Sequence, residues 1–445
     1  MKADIPNILL VNPWIHDFAA YDFWAKPIGL LYLAAILRQH DFDVTYIDCL
    51  DRFHIGMPKT NLLKKDGKGP YLKTKIKKPA GLEDVYRNFS RYGIKPEWFI
   101  DELMKISEPD IILITSSMTY WYTGVIETIK VIKQIFPDTP IVVGGIYATL
   151  FKDHALQNLG ADQVVSGPGE EHILNLVEKY TGFATSKRFK PDDLDTYPYP
   201  AFDLQRQIPY VPLMSSRGCP FSCSYCASTY LHSTRMVRSP ELVVEEIQFW
   251  QKKYSVQNFV FYDDALLVDP EKHIIPILEN IIRKDINVRF HTPNALHIRY
   301  ISNKIAKLMF KAGFKTIKMG LETYDFENRK KLDQKVTKEE FLRAVSSLKN
   351  AGFIKKQIGV YLLVGLPGQT LDSVIYSAAT AIQKNITPVL TYYSPIPHTN
   401  MWKMALSSSR YDIKSDPIFS NNAIFPCWGK TFSWETISKL KKLIN

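Results

Sequence analysis

Three of the five cysteines in this chain lie within eight residues of one another, as Cys219, Cys223 and Cys226 in the spacing C-x-x-x-C-x-x-C. Three thiolates on one short loop can bind three irons of a four-iron four-sulfur (4Fe-4S) cluster, which leaves the fourth iron without a protein ligand. The other two, Cys49 and Cys427, lie far away and have no cysteine or histidine partner at ligand spacing. The spacing therefore favours a cluster with one open iron, where chemistry can take place.

Two other interpretations of the cysteine loop stay open. A structural zinc site would need a fourth ligand such as His232, and ordinary zinc sites favour paired, short-spaced cysteines. A disulfide framework would be unusual for five scattered cysteines in 445 residues. The open-iron interpretation is preferred over both.

With Tyr225 directly before the third cysteine, the loop resembles the signature of the radical S-adenosylmethionine (SAM) superfamily. The resemblance implies that SAM binds the open iron and that an electron from the cluster cleaves it. The resulting 5′-deoxyadenosyl radical then takes a hydrogen atom from a substrate. It also implies that Cys219, Cys223 and Cys226 are the cluster ligands and that Tyr225 lies beside the adenine.

The elements that must position these residues fall into two series. Residues 1–185 alternate short apolar runs with helical patterns, which predicts a doubly wound parallel sheet. No G-x-G-x-x-G follows any of these strands, so a dinucleotide ligand is not expected. The predicted strands are Ile8–Val11, Asp43–Asp48, Ile111–Thr115, Ile141–Val143 and Asp162–Ser166.

The ends of these strands resemble the cobalamin-binding domain that precedes the cluster domain in one group of radical SAM enzymes. The matching features are the run from Lys26 to Ala34, a hydroxyl-rich turn, a Gly-Gly pair and a G-x-G-E turn. The D-x-H-x-x-G element that supplies a lower axial histidine is absent, and His16 is only a weak candidate for that role. The resemblance implies cobalamin contacts from Thr115, Ser116, Ser117, Gly144, Gly145 and Gly167.

From Tyr210 a second series of strands and helices predicts a partial (βα)6 barrel similar to a TIM barrel, whose site lies at the carboxyl ends of the strands. Strand ends are expected at Ser215, Tyr262, 290–294, Met319, Val364 and Tyr393. The family resemblance implies that SAM is contacted from these ends by Asp263, Asp264, Asn294, Glu322, Gly365, Pro367 and Gly368.

The predicted domains are 1–185, with a lysine-rich insertion at about 55–80, a linker at 186–207, the barrel at 208–405 and a carboxyl-terminal extension with a short helix at 406–445. Residues 59–78 hold eight lysines and one aspartate and supply most of the net charge of +11. The segment has few aromatic residues for base stacking, so nucleic acid is an unlikely partner. It is predicted as a solvated loop, with docking of an acidic electron donor as the alternative.

Neither a signal peptide nor an apolar run of membrane-spanning length is evident, and the few cysteines suit a reducing compartment. A cytoplasmic location and a reductant such as flavodoxin or ferredoxin are therefore expected.

The expected function is cobalamin-dependent methylation of an unactivated carbon by a radical SAM enzyme, with 4Fe-4S, SAM and cobalamin as cofactors. One alternative keeps these cofactors but performs a cyclisation, ring contraction or rearrangement. Another is a non-catalytic cluster or corrinoid carrier, or a nucleic-acid-associated protein. The substrate, a small molecule or a peptide, has no local signature in the sequence.

Overall fold

The computed structural model describes residues 5–58, 64–327, 329, 332–428 and 434–444 of the chain. It divides into two compact units. Unit 1 comprises Met1–Pro209 and Ser415–Ala423, and unit 2 comprises Tyr210–Lys414 and Ile424–Asn445. The domain limits expected at residues 185, 207 and 405 stay predictions. No helix in the described ranges is both long and apolar enough to cross a membrane.

The strands of unit 1 are β1 (Asn7–Asn12), β2 (Ile15–Asp17), β3 (Asp43–Asp48), β4 (Lys73–Lys75), β5 (Ser90–Tyr92), β6 (Ile111–Ser116), β7 (Ile141–Gly145) and β8 (Gln163–Val164). Five of them form a parallel sheet in the order β3-β1-β6-β7-β8. The chain moves outward from β1 first to one side and then to the other, so the sheet is doubly wound. All five strands lie where the sequence predicts them, within two residues at either end.

Helices alternate with these strands, as parallel connections require. They are α1 (Ile28–Gln39), α2 (Pro96–Leu103), α3 (Tyr122–Ile135), α4 (Ile146–Leu150), α5 (Lys152–Asn158) and α6 (Ile173–Thr181). The four central residues of β1, 8–11, are fully buried, because helices on both faces exclude water from a parallel strand.

The lysine-rich insertion is not simply a loop, which corrects the prediction. Its residues Lys73–Lys75 form strand β4, which pairs with β5, and β5 pairs in turn with β2 to make a small antiparallel sheet. The ring of Tyr71 packs with Ile15 of β2 and Tyr92 of β5, while the β4 side chains are exposed. The partner strand β5 comes from an aromatic and basic stretch that has no clear periodicity. Residues 59–63 lie outside the described part.

The strands of unit 2 are β9 (Val211–Leu213), β10 (Ser216–Arg217), β11 (Met236–Val237), β12 (Asn258–Phe261), β13 (Arg289–His291), β14 (Phe314–Glu322), β15 (Ile358–Val364) and β16 (Thr387–Tyr392). Six of them form a parallel sheet in the order β16-β15-β14-β13-β12-β9, while β10 and β11 pair separately. Each of the six lies beside its neighbour in this series, the arrangement of a partial βα barrel. The α/β fold class is therefore confirmed.

The helices of unit 2 are α7 (Ser228–Leu231), α8 (Pro240–Tyr254), α9 (Ile274–Arg283), α10 (Asn303–Lys311), α11 (Lys338–Asn350), α12 (Leu371–Gln383), α13 (Trp402–Ser408) and α14 (Trp434–Ile444). Hydroxyl residues define several of their starts: Thr337 and Glu340 form a capping box at α11, and the Thr370 hydroxyl accepts from the Ser373 N–H at α12. The six parallel strands end at Leu213, Phe261, His291, Glu322, Val364 and Tyr392, close to the predicted positions.

Candidate functional site

The loop that carries the three cysteines begins directly after β10, at Gly218. Gly218 has a φ of 85°, and a Cβ atom there would lie 2.9 Å from the Thr234 carbonyl oxygen. Its N–H donates to the Asp264 carboxylate at 3.1 Å. Only glycine fits this turn without strain, and Asp264, predicted as a SAM contact, holds the start of the loop.

Backbone hydrogen bonds fix the middle of the same loop. The N–H of Ser224 donates to the Leu332 carbonyl at 2.9 Å, and the Ser224 carbonyl accepts from the Met401 N–H at 2.8 Å. The Cys226 N–H donates to the Cys223 carbonyl at 3.1 Å and closes a turn. The path of the loop is therefore set by contacts within the protein.

The three cysteines are free and partly exposed. Burial raises the pKa of the Cys223 thiol to about 11 and also raises that of Cys219. The Sγ of Cys219 lies 3.7 Å from His297 Nε2, and burial together with nearby cations lowers the pKa of His297 to about 3. The Ser228 hydroxyl lies 3.2 Å from Cys226 Sγ. Iron would have to displace the thiol protons on binding, as metals generally do.

The cysteine loop fits a multi-iron cluster better than a single metal ion. Within the described ranges, no three His, Cys, Asp or Glu side chains converge where one ion could be held. A four-iron cluster binds each cysteine at a different iron atom, so its ligands need not meet at one point. Three free thiols on one firmly held loop match that requirement, whereas a mononuclear zinc site has no assembled ligand set here.

Asp263, the first of the predicted SAM contacts, is buried and already engaged. Its Oδ1 accepts from the hydroxyls of Ser215 at 2.6 Å and Ser216 at 2.7 Å. His273 Nε2 lies 3.0 Å from the Ser215 hydroxyl and extends this network. Burial raises the pKa of Asp263, and the hydrogen bonds oppose that rise. In this structure Asp263 ties the end of β12 to the segment before the cysteine loop, and its contact with SAM stays a prediction.

Asn294 also ties neighbouring strand ends together. Its Nδ2 donates to the carbonyl of Tyr262 at 2.6 Å and approaches that of Asp263 at 3.5 Å. Nearby, His297 stacks on Phe221 of the cysteine loop, with ring centroids 4.6 Å apart. Asn294 and His297 thus support the residues around the cysteines, and the SAM contact of Asn294 also stays a prediction.

A buried ion pair lies against the cysteine loop. Lys335 Nζ donates to Glu322 Oε1 at 2.7 Å and to the Tyr225 hydroxyl at 2.9 Å. Burial lowers the pKa of the Lys335 ammonium, but the Glu322 carboxylate and other nearby acids outweigh it and raise the pKa. Sequence reasoning found Glu322 and Tyr225 but missed Lys335, which lies in a polar segment with no recognisable motif. The lysine therefore stays charged beside the predicted cluster ligands.

The backbone around this ion pair has an unusual conformation that neighbouring contacts hold in place. Glu322 has a φ of 63°, which is unusual for a residue with a side chain. A Cβ atom on Gly320 would lie 3.0 Å from Glu322 Oε1 and 3.1 Å from Lys335 Nζ. The Arg329 guanidinium donates to the Leu321 carbonyl and pairs with Asp333 at 2.9 Å. A strained backbone held by such contacts is typical of functional positions.

The predicted glycine turn after β15 has the expected open form. Gly365 and Gly368 have φ values of 94° and 73°. The Gln369 side chain closes the turn, accepting from the Gly365 N–H at 2.8 Å and donating to the Leu363 carbonyl at 2.8 Å. Pro367 and Gly368 remain at least partly exposed, so the surface of this turn is accessible to a ligand.

A cavity of about 130 Å³ opens at the carboxyl ends of β6 and β7 in unit 1. It is mostly apolar, and four of the six predicted cobalamin contacts line it: Thr115, Gly144, Gly145 and Gly167. A Cβ atom on Gly167 would meet nothing within 4 Å, so this glycine borders open space. The glycines leave the backbone of this cavity open to the approach of a ligand, and the cobalamin contacts stay predictions.

The other two predicted contacts do not line this cavity. The Ser116 hydroxyl donates to the Gly144 carbonyl at 2.6 Å and accepts from the Ala148 N–H at 3.2 Å, so it joins β6 to β7 and α4. Ser117 is exposed at the end of the turn. A Cβ atom on Gly145 would lie 2.3 Å from the Ser116 carbonyl oxygen, so this glycine is also required by packing.

His16, the weak axial candidate, is buried in β2 and contacts Glu127 Oε2 through Nε2 at 2.7 Å. Arg91 binds the same carboxylate at 3.0 and 2.5 Å. These contacts favour a packing role. Cys49 and Cys427 are buried and free, and burial raises the pKa of Cys427 to about 11.

Comparison with known families decides the class. Residues 213–380 match the model of the radical SAM superfamily, and residues 89–177 match that of the B12 binding domain. The chain thus carries a B12-binding domain followed in sequence by a radical SAM domain. The radical SAM match includes all three cysteines. The B12 match includes β6, β7 and most residues of the glycine-lined cavity, whereas its lining residues Gly29, Leu30 and Leu33 lie before the match.

Two curated proteins illustrate the relatives of this radical SAM protein. The uncharacterized methyltransferase PH0819 of Pyrococcus horikoshii is 25% identical over 338 residues, covering 70% of this chain and 72% of that protein. An anaerobic magnesium-protoporphyrin IX monomethyl ester cyclase of Rubrivivax gelatinosus is 25% identical over 328 residues, covering 66% of this chain and 58% of the cyclase. The chain therefore spans less than two thirds of the cyclase.

Among solved structures, the radical SAM methyltransferase TsrM from Kitasatospora setae with cobalamin and a [4Fe-4S] cluster is similar in fold. Its TM-score is 0.67 at 16% identity, over 92% of this chain and 76% of TsrM. The two family matches confirm the expected radical SAM enzyme and its cofactors, 4Fe-4S, SAM and cobalamin. The likeness to TsrM confirms the fold. The roles of individual residues stay predictions.

Proposed function

We propose that this radical SAM protein methylates an unactivated carbon of a small-molecule or peptide substrate, with cobalamin as the methyl carrier. The observation that carries the proposal is the presence in one chain of a three-cysteine radical SAM loop and a B12-binding domain with a glycine-lined cavity. Bound SAM and cluster supply a radical able to remove a hydrogen atom from such a carbon, and cobalamin supplies the methyl group.

The residues of unit 2 serve to hold and orient these groups. Cys219, Cys223 and Cys226 would hold the cluster, on a loop fixed by Asp264 and by the backbone contacts of Ser224. The Lys335 ammonium and the Glu322 carboxylate place a charge of each sign beside Tyr225, where the amino and carboxylate groups of SAM would each find a complementary partner. The accessible part of the glycine turn, Pro367 and Gly368, would leave room for the adenine.

In unit 1 the glycine-lined cavity would accept the nucleotide tail of cobalamin. Its walls are mostly apolar, and Gly144 and Gly167 let a flat group approach the backbone. Thr115 offers a hydroxyl at the rim that can donate to a ring nitrogen.

The test is anaerobic purification with iron, sulfide and hydroxocobalamin, followed by dithionite and SAM labelled with deuterium in its methyl group. We expect corrinoid absorption bands, release of 5′-deoxyadenosine, and labelled methyl in the product once a substrate is supplied. Cys223→Ser should lose iron and 5′-deoxyadenosine, whereas Cys427→Ser, the matched control, should keep both. Release of 5′-deoxyadenosine without retained corrinoid would contradict methyl transfer through cobalamin.

A cyclisation or rearrangement is the second candidate, favoured by the similarity to the magnesium-protoporphyrin monomethyl ester cyclase. It uses the same cofactors but leaves the methyl group of SAM out of the product. The deuterium label separates the two reactions, because a cyclase would yield an unlabelled product.

We further propose that a reductant such as flavodoxin or ferredoxin supplies the electron and that the protein works in the cytoplasm. The free cysteines support the second point, because thiols and an iron–sulfur cluster persist in a reducing compartment. Reduction by purified flavodoxin in place of dithionite, followed as 5′-deoxyadenosine release, tests the first.

A further inference from the structure

Two of the three cysteine sulfurs in the loop have a polar group within hydrogen-bond distance. His297 Nε2 lies 3.7 Å from Cys219 Sγ, and the Ser228 hydroxyl oxygen lies 3.2 Å from Cys226 Sγ. The Ser228 N–H also donates to the Cys226 sulfur, at 3.5 Å. A thiolate has no proton and can only accept, so the imidazole and the hydroxyl would both act as donors to cluster-bound cysteines.

The direction of the His297 ring is fixed by the protein. The Leu296 N–H donates to the Lys318 carbonyl at 2.7 Å, and the Leu296 carbonyl accepts from the Gly320 N–H at 3.2 Å, which ties this segment to β14. The imidazole is buried and stacks on Phe221, with ring centroids 4.6 Å apart and ring planes 22° apart. The position of Nε2 therefore does not depend on a bound cluster.

The surroundings of the two ring nitrogens indicate which one carries the proton. His297 Nδ1 is buried and has no hydrogen-bond partner among the described residues. A neutral imidazole has a single N–H, and a buried N–H without an acceptor is costly. On Nε2 the same hydrogen faces the Cys219 sulfur. The structure thus favours the tautomer in which Nε2 is the donor.

Uptake of one electron from a reductant adds negative charge to a cluster and to the thiolates that bind it. A donor at a thiolate stabilises the reduced state more than the oxidised state, and hydrogen bonds to the sulfurs are one of the factors that set the potential. We propose that His297 and Ser228 each donate to a cluster thiolate and thereby raise the reduction potential of the cluster. A larger fraction of the protein would then be reduced by a donor such as flavodoxin.

The test is an anaerobic redox titration of the full-length reconstituted protein, followed by EPR before SAM or cobalamin is added. His297→Phe keeps a flat ring against Phe221 but has no N–H. It should lower the midpoint potential by about 59 mV, which is a tenfold change in the reduction equilibrium for one electron. His297→Gln keeps an N–H donor and should restore most of the potential. Ser228→Ala loses the hydroxyl but keeps the backbone N–H, so its potential should fall by a smaller amount.

Tyr300→Phe and Thr229→Ala are the matched controls, because each removes one hydroxyl near the cysteine loop and leaves both proposed donors in place. The Tyr300 ring centroid lies 6.5 Å from that of Phe221, and Thr229 is exposed beside Ser228. Both controls should keep the parent potential. A fall in the controls as large as in His297→Phe would overturn the proposal.

The inference rests on the proposed role of Cys219 and Cys226 as cluster ligands, and iron analysis separates the two. A parent protein that binds no iron after reconstitution would overturn the ligand role and this inference together. An iron-loaded His297→Phe protein with the parent potential would overturn this inference alone. Equal lowering by His297→Gln and His297→Phe would also overturn it, because ring packing and not the N–H would then set the potential.

A second measurement applies if His297→Phe fails to hold a cluster. Pulsed EPR of the reduced parent protein, grown with histidine labelled with nitrogen-15, should show a nitrogen coupling to the cluster in the absence of SAM. His297→Gln, which has no imidazole, should lose this coupling. A parent protein without the coupling would show that the imidazole does not contact the cluster ligand, and the proposal would be wrong.

Discussion

At the scale of single residues, the Lys335 side chain is buried, has a charge partner in Glu322 and contacts Tyr225 of the cysteine loop. Removing one member of a buried ion pair leaves the other charge unpaired, which costs more than the pair itself contributes. The lysine is therefore expected to matter for stability as well as for ligand binding.

Lys335→Met should destabilise the protein by about 3–5 kcal/mol, because the Glu322 carboxylate stays buried without its partner. The double variant Glu322→Gln with Lys335→Met should recover part of this loss. Urea unfolding measures both. Lys307→Met, at an exposed position of α10, is the control and should change the free energy of unfolding little. Equal effects of Lys307→Met and Lys335→Met would contradict the prediction.

The lowered pKa of Glu127 predicts that the free energy of unfolding depends on pH. Burial would raise its pKa, but hydrogen bonds and charges from His16 and Arg91 outweigh this and lower it from 4.5 to about 2. A carboxylate whose pKa is lower in the folded state stabilises the fold above the unfolded pKa, and this contribution is lost as the pH falls from about 4.5 to about 2.

Between pH 6 and pH 3, Glu127→Gln should lose less free energy of unfolding than the parent protein, by roughly 2 kcal/mol. Urea unfolding at a series of pH values is the measurement. Parallel curves for the two proteins would show that Glu127 does not carry this dependence.

At the scale of elements, the turn from β7 into α4 depends on a close backbone approach. Gly145 has a φ of 99°, and a Cβ atom there would lie 2.3 Å from the Ser116 carbonyl oxygen. Gly160 has a φ of 68° but open space around it. An alanine at position 160 would therefore meet backbone strain alone, whereas an alanine at position 145 would meet both strain and steric overlap.

Gly160→Ala should cost about 1–2 kcal/mol from backbone strain alone. Gly145→Ala should cost about 2 kcal/mol more, because the strands must also move apart. Denaturant unfolding of the protein without cobalamin compares them directly. If both variants lost the same free energy, the contact between β7 and β6 would be looser than the structure shows.

The parallel strands could be predicted because each is a short, continuous apolar run that ends in small or polar residues. The same local signals located the cysteine loop and the Gly365–Gly368 turn. Lys335 could not be found this way, since only folding of the segment between β14 and α11 brings it to Tyr225. Asp263 and Ser116 were identified as polar groups at strand ends, but their engagement with neighbouring strands depends on tertiary contacts. Strand β4 was missed because Lys73–Lys75 is polar and carries no apolar alternation, so only its pairing with β5 makes it a strand.

At the scale of the whole molecule, the net charge of +11 is concentrated in the lysine-rich insertion. Lys73, Lys75 and Lys77 are exposed on and beside β4. Exposed charges of one sign speed up association with an oppositely charged partner, and salt weakens the effect. This surface suits an acidic electron donor.

Replacing Lys73, Lys75 and Lys77 by glutamine should slow flavodoxin-supported release of 5′-deoxyadenosine at low salt, by about tenfold. The dithionite-supported rate should not change. The same substitution of three exposed lysines in unit 2 is the control and should have a smaller effect: Lys307, Lys311 and Lys338. Equal slowing by both sets would mean that overall charge, and not this surface, governs the encounter.

The anchoring of Ser224 on both sides has a consequence for how the protein matures. Its N–H and carbonyl are held by Leu332 and Met401, and neither contact involves a cysteine. Unlike a zinc finger, which is unfolded until its metal arrives, this chain can complete its fold first and receive iron and sulfide afterwards. The cluster would then assemble in a loop that is already folded. Chemical reconstitution should therefore restore the cluster in protein stripped of its iron, without refolding.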